Sequence, residues 1–269
     1  MAIEIIGNKE KAIAIIEVKK NGKKEKELVE WILKNHKNVK TILKKVSGRE
    51  GELRLKDYEI LYGKETEVLH KEYGYELKVD VTKVYFSARE AKERQRIANL
   101  VKDGETILIM FSGIMPFGIV IAKKVKNVKI YGIELNEVAH KYALENVRIN
   151  KVAHKVYPIL GDVREKAKEF FGKCDRILMP LPFSSKEFFE LAVKCLKEKG
   201  IIHFYTIGEE PNIFEEGEKF LNEKCKKLKV EFRILSKTKV QMYAPRKWKI
   251  SLDVEIIKSS NSLKNKYER

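Results

Sequence analysis

Residues 106–117 read Thr106-Ile107-Leu108-Ile109-Met110-Phe111-Ser112-Gly113-Ile114-Met115-Pro116-Phe117. The first five residues form an apolar run of strand length, and the rest reads as a turn in which one glycine lets the backbone approach a ligand. Strand and helix patterns alternate around this stretch, and such alternation predicts a parallel sheet with crossover helices. We therefore predict an α/β, Rossmann-like fold.

The alternation begins after Asp80 and continues almost to the end of the chain. It predicts the helices Glu90–Lys102, Ile119–Val125, Glu137–Asn150, Lys186–Leu196 and Glu215–Lys226. It predicts the strands Thr106–Met110, Lys129–Glu134, Val156–Leu160, Arg176–Met179 and Gly200–Tyr205. Two consecutive final strands, Lys229–Lys237 and Lys249–Ile257, predict a terminal antiparallel hairpin on an otherwise parallel sheet.

A smaller α+β module is predicted before this domain. It has strands at Ala12–Lys19, Val39–Lys45, Glu59–Tyr62 and Tyr75–Asp80, a helix at Glu25–Asn35, and turns at Gly48–Gly51 and Tyr73–Tyr75. The chain then divides into a small α+β domain at 1–80, a larger α/β domain at 81–258 and a polar tail at 259–269 that we expect to fray.

Charge and cysteine content restrict the class of protein. The 269 residues carry a formal net charge of +17, which favours a polyanionic partner, although lysine-rich proteins also place many lysines on solvated faces. The three cysteines form no metal-binding pattern, so we expect no metal and a reducing, cytoplasmic location. No apolar run is long enough to cross a membrane, and the N-terminus does not read as a secretory signal.

Four candidate binding positions follow the predicted strands, because ligands of open α/β sheets bind at the carboxyl ends of the strands. The turn after the first strand offers Phe111, Ser112, Gly113 and Pro116. Glu134 ends the second strand, where a carboxylate can accept hydrogen bonds from both ribose hydroxyls. Asp162 follows the third strand, placed to meet an adenine amino group. After the fourth strand comes a turn made rigid by Pro180 and Pro182.

Glu134 and Asp162 together indicate a nucleoside site, although each also fits an ordinary acid at a helix N-terminus. They lie 28 residues apart at the ends of consecutive strands, which matches one βα unit. The first turn lacks G-x-G-x-x-G and therefore lacks a cradle for a pyrophosphate. S-adenosylmethionine, which has no phosphate, is favoured over a nicotinamide cofactor.

A second set of candidates leads into the helix at residue 90. Ser87 fits the N-cap position of this helix. Glu90, three residues later, fits the glutamate of a capping box, which is a structural role. Arg89 and Glu93 are four apart and would share a helix face, which fits a surface ion pair. The same spacing fits a site in which Glu93 removes a proton from a guanine ring and Arg89 stabilises the charge on its exocyclic oxygen. Spacing leaves both interpretations open.

Several strings resemble the archaeal and eukaryotic tRNA guanine-37 N1-methyltransferase family and its relative, the aminocarboxypropyl transferase of wybutosine synthesis. They occur between about Leu61 and Ile257: Leu61-Tyr62-Gly63-Lys64-Glu65-Thr66, His70-Lys71-Glu72-Tyr73-Gly74, Lys83-Val84-Tyr85-Phe86-Ser87, Pro116-Phe117, Ile202-His203-Phe204-Tyr205 and Tyr243-Ala244-Pro245. The resemblance implies a class I S-adenosylmethionine-dependent methyltransferase domain behind a small RNA-contacting domain. It implies methyl transfer to N1 of guanine-37 in tRNA.

The pattern F-S-P-R-L-x-x-E-R of the methyltransferases is matched at its arginine and glutamate by Arg89 and Glu93, which favours methyl over aminocarboxypropyl transfer. Ala88 stands in place of the proline and Glu90 in place of the leucine. The aminocarboxypropyl transferase on the same tRNA base remains the alternative.

Two departures affect the first-strand motif, which in the family resembles D-M-F-A-G-x-G-P-F. Ile109 replaces the acid and Met115 the second glycine. Loss of a carboxylate that steadies the turn, and added bulk near the ligand, predict weaker cofactor binding. A noncatalytic tRNA-binding relative is therefore a further alternative.

A third departure concerns the target base. The chain has Pro180-Leu181-Pro182 where the position-37 methyltransferases have N-L-P, and proline cannot hydrogen-bond a base edge as asparagine can. This version resembles the archaeal branch that methylates carbon 7 of the tricyclic base imG-14 in wyosine-derivative formation. The resemblance leaves both methylations open, N1 of guanine-37 and carbon 7 of imG-14, and Pro180 and Pro182 are counted among the catalytic residues.

RNA contacts are expected around the same cleft. Arg94, Arg246 and Lys247 would bind phosphates, and Tyr85 would stack on a base. Trp248 could also stack, but its alternation with Ile250 and Leu252 favours a core-facing strand. Full methyltransferases of the family carry a further N-terminal domain that inspects the outer corner of tRNA. We expect this chain, a monomer, to recognise the anticodon arm instead.

Overall fold

A computed structural model describes residues 2–17, 22–46 and 57–258. The seven-stranded sheet that carries the cavity is formed by β7 (Thr106–Met110), β8 (Lys129–Glu134), β9 (Val156–Leu160), β10 (Cys174–Met179), β11 (Leu196–Glu209), β12 (Val230–Ala244) and β13 (Lys247–Lys258). Its spatial order is β12-β13-β11-β10-β7-β8-β9. The strands from β11 to β9 are parallel, and β13 pairs antiparallel with both β11 and β12. The predicted α/β class and its terminal antiparallel hairpin are confirmed.

Six helices accompany this sheet in the part of the chain that the structure describes. They are α2 (Ala91–Leu100), α3 (Pro116–Lys124), α4 (Glu137–Ile149), α5 (Val163–Lys166), α6 (Ser185–Cys195) and α7 (Glu215–Leu228). A 3₁₀ turn, Ala88–Glu90, precedes α2, and the short helix α5 was not predicted. The predicted strands after residue 195 are correct in position but too short, because their polar ends continue the ladder of hydrogen bonds between β11, β12 and β13.

The N-terminal part consists of a second sheet, a helix and a hairpin. The sheet has the order β1 (Ala2–Gly7), β2 (Ala12–Glu17), β3 (Val39–Lys45), β4 (Tyr58–Tyr62), and α1 (Gly22–Asn35) connects β2 to β3. The hairpin pairs β5 (Glu67–Glu72) with β6 (Tyr75–Asp80). Strands β1 and β5 were not predicted. The predicted turn at Gly48–Gly51 and the tail at 259–269 lie outside the described residues.

One continuous hydrophobic core joins the two sheets. Ile6 and Ile13 of the small sheet belong to the same buried cluster as Leu77 of the hairpin and Ile107 of β7. Apolar side chains of the two parts are therefore removed from water together, which stabilises their association. The domain boundary at residue 80 stays a prediction.

The turn after β7 lies at the point where the sheet reverses its order. Strand β7 pairs with β8 on one side and β10 on the other, so a crevice opens beyond its carboxyl end. Met115 has a φ of +70° in this turn, a left-handed conformation that costs a non-glycine residue about 1–2 kcal/mol. Its side chain is fully buried and packs against Gly118 and Gly132.

We expect Gly132→Ala to destabilise the protein by about 2–3 kcal/mol, because a Cβ at Gly132 would lie 2.4 Å from both Sδ and Cε of Met115. Urea unfolding measures the change. Gly22→Ala is the matched control, since no heavy atom lies within 4 Å of its Cβ position. In a Met115→Ala background, which removes the clashing side chain, Gly132→Ala should cost less stability than in the wild type; an equal cost in both backgrounds would contradict the clash.

Candidate active site

A cavity of about 420 Å³ opens at the carboxyl ends of the central strands. Six of its lining residues are the predicted cofactor-binding residues: Phe111, Ser112, Gly113, Pro116, Glu134 and Asp162. Six others come from the turn before α2, the turn after β10 and the terminal hairpin: Tyr85, Glu90, Pro180, Pro182, Gln241 and Lys249. The cavity therefore joins the strand-end acids to a separate polar cluster.

Glu134 fixes the turn after β7. One of its carboxylate oxygens accepts the Gly113 N–H at 2.7 Å, and the other accepts the Asn136 N–H at 2.9 Å. Burial raises the pKa of Glu134 above its usual value, against the opposing effect of these two hydrogen bonds. A carboxylate has about four acceptor positions, so Glu134 retains capacity for ligand hydroxyls.

Asp162 both caps a helix and lines the cavity, which are the two roles that the sequence left open. It is the N-cap of α5 and accepts the Arg164 N–H at 2.7 Å. It also lines the cavity, as do Phe111 and Phe188, whose rings meet edge to face at 4.9 Å. Capping therefore holds the carboxylate at the wall of the cavity.

Ser112 supports the fit of a polar ligand beside Glu134. Its hydroxyl oxygen is buried and has no hydrogen-bond partner among the described residues, although the side chain lines the cavity. A buried hydroxyl without a partner costs about 1–3 kcal/mol. A nucleoside with hydroxyl and amino groups would supply partners, so these residues fit the adenosine part of S-adenosylmethionine.

Ile109 and Met115 were predicted to weaken cofactor binding, and the structure shows contacts that offset this effect. Ile109 is buried in the core, and Glu134 holds the turn through Gly113. Met115 is not among the cavity-lining residues, because its side chain packs beneath the turn against Gly132. The expectation that Met115 adds bulk beside the ligand is therefore wrong.

The predicted pairing of Arg89 with Glu93 on one helix face is also wrong. Arg89 lies in the 3₁₀ turn, its side chain is 47% exposed, and its guanidinium is 3.4 Å from Glu4. Glu93 is buried in α2, where Arg96 donates to both of its oxygens at 2.7 Å and the Tyr205 hydroxyl donates at 2.6 Å. Neither residue lines the cavity. The 3₁₀ turn breaks the four-residue helical spacing.

A buried network continues from Glu93 through Arg96. Arg96 also donates to Asp253, and His203 Nδ1 is 2.6 Å from the same carboxylate. Arg176 approaches His203 Nε2 at 2.8 Å; an arginine only donates, so Nε2 accepts and Nδ1–H donates to Asp253. Burial lowers the pKa of His203, which agrees with this neutral form.

The capping box predicted at Ser87 and Glu90 does not form. The Ser87 hydroxyl donates to Glu4 at 2.9 Å, and the same carboxylate oxygen accepts the Ala88 N–H at 3.0 Å. Glu90 instead turns into the cavity wall, where Lys249 lies 2.9 Å away. Glu4 on β1 satisfies the donors at the start of the turn, which the local sequence could not show.

Arg94 does not serve as the predicted phosphate ligand. It is 1% exposed, and it donates to the two oxygens of Glu72 at 2.7 Å each. His70 and Tyr75 also contact this carboxylate. Burial alone would raise the pKa of Glu72, but the hydrogen bonds from His70 and Arg94 outweigh it and lower the pKa to about 2. The cluster holds the hairpin against α2.

Because the folded-state pKa of Glu72 is lowered, the stability it contributes is present above about pH 4.5 and is lost as the pH falls towards 2. We expect this loss to reach about 3 kcal/mol. About 2 kcal/mol of this loss falls between pH 7 and pH 3. Urea unfolding of the wild type and Glu72→Gln over that range measures it, since the variant should show a smaller loss. Glu76→Gln on the same hairpin is the control. Equal pH dependence in wild type and Glu72→Gln would contradict the assignment.

The remaining predicted RNA-binding residues have mixed placements. Tyr85 lines the cavity and donates its hydroxyl to Glu90 at 2.9 Å. Arg246 and Lys247 are exposed where β12 turns into β13. Trp248 is half-buried, with Lys239 Nζ 3.5 Å from its ring centre, so the core-facing prediction holds fully for Ile250 and Leu252 and not for Trp248.

Two family models match the chain. The TRM5/TYW2 methyltransferase domain matches residues 68–233, and the TYW2 N-terminal domain matches residues 4–66. The chain belongs to the TRM5/TYW2 family. Family membership and the class I methyltransferase fold inferred from the sequence strings are thus confirmed.

Similar proteins come from both branches of this family. The chain is 40% identical to Trm5b of Pyrococcus abyssi, a tRNA (guanine(37)-N(1))-methyltransferase, over 95% of this chain and 74% of that protein. It is 34% identical to a tRNA(Phe) (4-demethylwyosine(37)-C(7)) aminocarboxypropyltransferase of Methanocaldococcus jannaschii, over 80% and 86%. It is 48% identical to Taw22 of Nanoarchaeum equitans, a tRNA (guanine(37)-N(1))/4-demethylwyosine(37)-methyltransferase, over 44% of this chain and 39% of that protein.

Solved structures agree with the fold. Trm5b of P. abyssi superposes with a TM-score of 0.83 at 38% identity, covering 96% of this chain and 75% of that one. The complex of aTrm5 with tRNALeu gives a TM-score of 0.82 at 34% identity, covering 95% of this chain and 72% of that one. TYW2 of P. horikoshii in complex with MeSAdo gives 0.82 at 29%, covering 96% and 91%.

Within this TRM5/TYW2 member, sequence reasoning missed the roles of three cavity residues, Glu90, Gln241 and Lys249. Lys249 lies on β13, where apolar and polar residues alternate. Both faces of this strand are buried, because the polar residues Lys249 and Asp253 are only 3% and 2% exposed. Polar residues that alternate with apolar ones usually face water. The sequence did carry one signal of this cluster, because Glu90 stands where the family has a leucine.

Proposed function

We propose that this chain transfers a methyl group from S-adenosylmethionine to N1 of guanine-37 in tRNA. The observation that carries the proposal is the cavity that joins the nucleoside-type residues Glu134 and Asp162 to the polar cluster around Glu90. Membership of the TRM5/TYW2 family supplies the reaction class.

Glu134, Ser112, Gly113 and Asp162 would hold the nucleoside part of the cofactor, with Phe111 against its apolar surface. When bound, S-adenosylmethionine supplies an electrophilic methyl group on a sulfonium centre. Solved relatives bind MeSAdo and other adenosine derivatives, which agrees with this choice of cofactor. The chain's own residues must then orient the base and take the N1 proton.

Glu93 is proposed as the group that takes the N1 proton, and Arg89 as the cation that stabilises charge on the exocyclic oxygen. Methyl transfer replaces the N1–H bond with an N1–C bond, so the proton must pass to a base. Glu93 lies one layer behind the cavity wall, since its partner Tyr205 has Lys249 Nζ 5.1 Å from its ring centre. Arg89 must exchange its contact with Glu4 for the base.

Carbon 7 of imG-14 is a second proposed target. Pro180 and Pro182 line the cavity in the rigid turn after β10, and Taw22 of N. equitans carries both activities in its name. The Ser185 hydroxyl donates to the carbonyl of Met179 at 3.1 Å and so fixes the start of α6 against this turn. The two prolines therefore offer the base a preformed apolar surface.

Recognition of the anticodon arm is proposed to use Arg246 and Lys247, which are exposed at one end of the β12–β13 hairpin. Phosphate contacts of this kind give affinity that falls with salt. We further propose that the chain acts as a monomer in the cytoplasm. No helix in the described ranges is long and apolar enough to span a membrane.

The proposal is tested by incubating the protein with labelled S-adenosylmethionine and transcripts that carry guanosine or adenosine at position 37, followed by nucleoside mass spectrometry. A methylated guanosine from the first transcript alone is expected. An aminocarboxypropyl mass would favour the alternative transferase. The absence of both transfer and cofactor binding would favour the noncatalytic relative.

A further inference from the structure

Three donors converge on one carboxylate oxygen of Glu90 in the cavity wall. The Tyr85 hydroxyl and Lys249 Nζ lie 2.9 Å from Oε1, and the Gln241 Nε2 lies 3.1 Å from it. Glu90 is 4% exposed and Lys249 is 3% exposed. Burial alone would raise the pKa of Glu90, but Lys249 outweighs it, so the pKa lies below its usual value and the carboxylate is ionised.

This arrangement fixes which way the Gln241 amide points. An ionised carboxylate only accepts hydrogen bonds, so the NH₂ group must face Glu90 and the carbonyl must face away from it. That carbonyl oxygen is buried and has no hydrogen-bond partner among residues 2–17, 22–46 and 57–258. Gln241 lines the cavity, so a small rotation of its side chain would bring the oxygen within reach of an N–H donor on a bound ligand.

The buried ion pair is costly to keep for stability alone. Removing two charges from water costs several kcal/mol per ion, and apolar residues of similar volume are often as stable. Pro180 and Pro182, which also line the cavity, have side chains without donors or acceptors. The cluster of Tyr85, Glu90, Gln241 and Lys249 in the cavity wall instead offers side-chain donors and acceptors to a base.

We propose that Gln241, oriented by Glu90 and Lys249, accepts a hydrogen bond from the exocyclic amino group of guanine and so selects guanine as the target base. The inference rests on the proposed function and adds a specificity-determining residue to it. Inosine lacks that amino group. In imG-14 a third ring is fused across N1 and N2, so the NH₂ group of guanine is absent there as well, and methylation of imG-14 at carbon 7 would proceed without this hydrogen bond.

The test compares single-turnover methylation of two transcripts that differ only at position 37, guanosine against inosine. For the wild type we expect the rate with inosine to be about 10- to 100-fold lower, because the carbonyl of Gln241 stays unpaired. In Gln241→Met, which removes the amide at similar volume, the two rates should lie within about threefold of each other, with the guanosine rate reduced. An unchanged ratio in this variant would overturn the inference.

Binding without turnover separates this inference from the proposed function. If the wild type methylates neither transcript but binds the guanosine transcript more tightly in a Gln241-dependent way, the inference stands and the proposed reaction fails. If it methylates guanosine and inosine equally well, the reaction stands and the inference fails. If it methylates neither and binds both equally, both fail.

Two further variants guard against a general effect on folding. Leu235→Met lies on the same strand with its side chain 44% exposed, and it should leave the ratio unchanged. The double variant Glu90→Leu with Lys249→Met removes the ion pair without leaving one charge unpaired, and it should reduce discrimination because the amide is no longer oriented. Wild-type discrimination in the double variant would contradict the orienting role.

Discussion

Glu93→Gln should lower the single-turnover rate of guanine N1 methylation by about 10²- to 10⁴-fold, the usual contribution of a general base. The affinity for tRNA should change by no more than about twofold, because Glu93 is buried and makes no contact with the surface. Glutamine keeps hydrogen-bonding capacity towards Arg96 and Tyr205, so the fold should survive. Rapid-quench kinetics with excess enzyme and a filter-binding assay measure the two quantities.

Glu93→Asp and Glu90→Gln make this test specific. Aspartate retains a carboxylate and should retain part of the activity. Glu90 is the carboxylate that lines the cavity, and Glu93 is held by Arg96 behind it. Wild-type turnover in Glu93→Gln would remove Glu93 from the role of base, whatever the turnover of Glu90→Gln, because Glu90 also orients Gln241.

Glu134→Ala should weaken the binding of S-adenosylmethionine by about 100-fold. The variant loses the hydrogen bonds to the N–H groups of Gly113 and Asn136, and it loses the acceptor for the ribose hydroxyls. Hydrogen bonds to a charged group are worth about 1.5–3 kcal/mol each. Isothermal titration calorimetry with the cofactor measures the change. Glu134→Gln, which keeps one carbonyl acceptor, should lose less.

Glu137→Ala provides the control, because Glu137 is exposed at the start of α4 and does not line the cavity. The raised pKa of Glu134 adds a pH dependence. Cofactor binding uses the ionised carboxylate, so affinity is retained at high pH and is lost as the pH falls through the raised pKa. Unchanged cofactor affinity in Glu134→Ala would show that the cofactor binds elsewhere.

The local pattern of the chain was sufficient for much of the cofactor site. Alternating strands and helices identified the sheet, and the rule that ligands bind at strand ends selected Glu134 and Asp162, both of which line the cavity. This succeeds because each of these residues ends a strand close to it in sequence, and parallel strands bring their carboxyl ends to one edge. The family strings supplied the reaction class.

Contacts between distant segments decided the rest. Glu90 meets Gln241 and Lys249 only because β13 inserts between β11 and β12, beside the turn that begins α2. Glu4 on the first strand forms an ion pair with Arg89, and Arg94 is buried against Glu72. A charged residue reads as exposed in sequence, since burying it is costly without a partner, and the partner is found only when the chain has folded. The sequence by itself thus determined the fold class, the family and the cofactor edge of the site. The tertiary structure alone decided which charges line the cavity and which hold the two parts of the protein together, because those pairings join residues far apart along the chain.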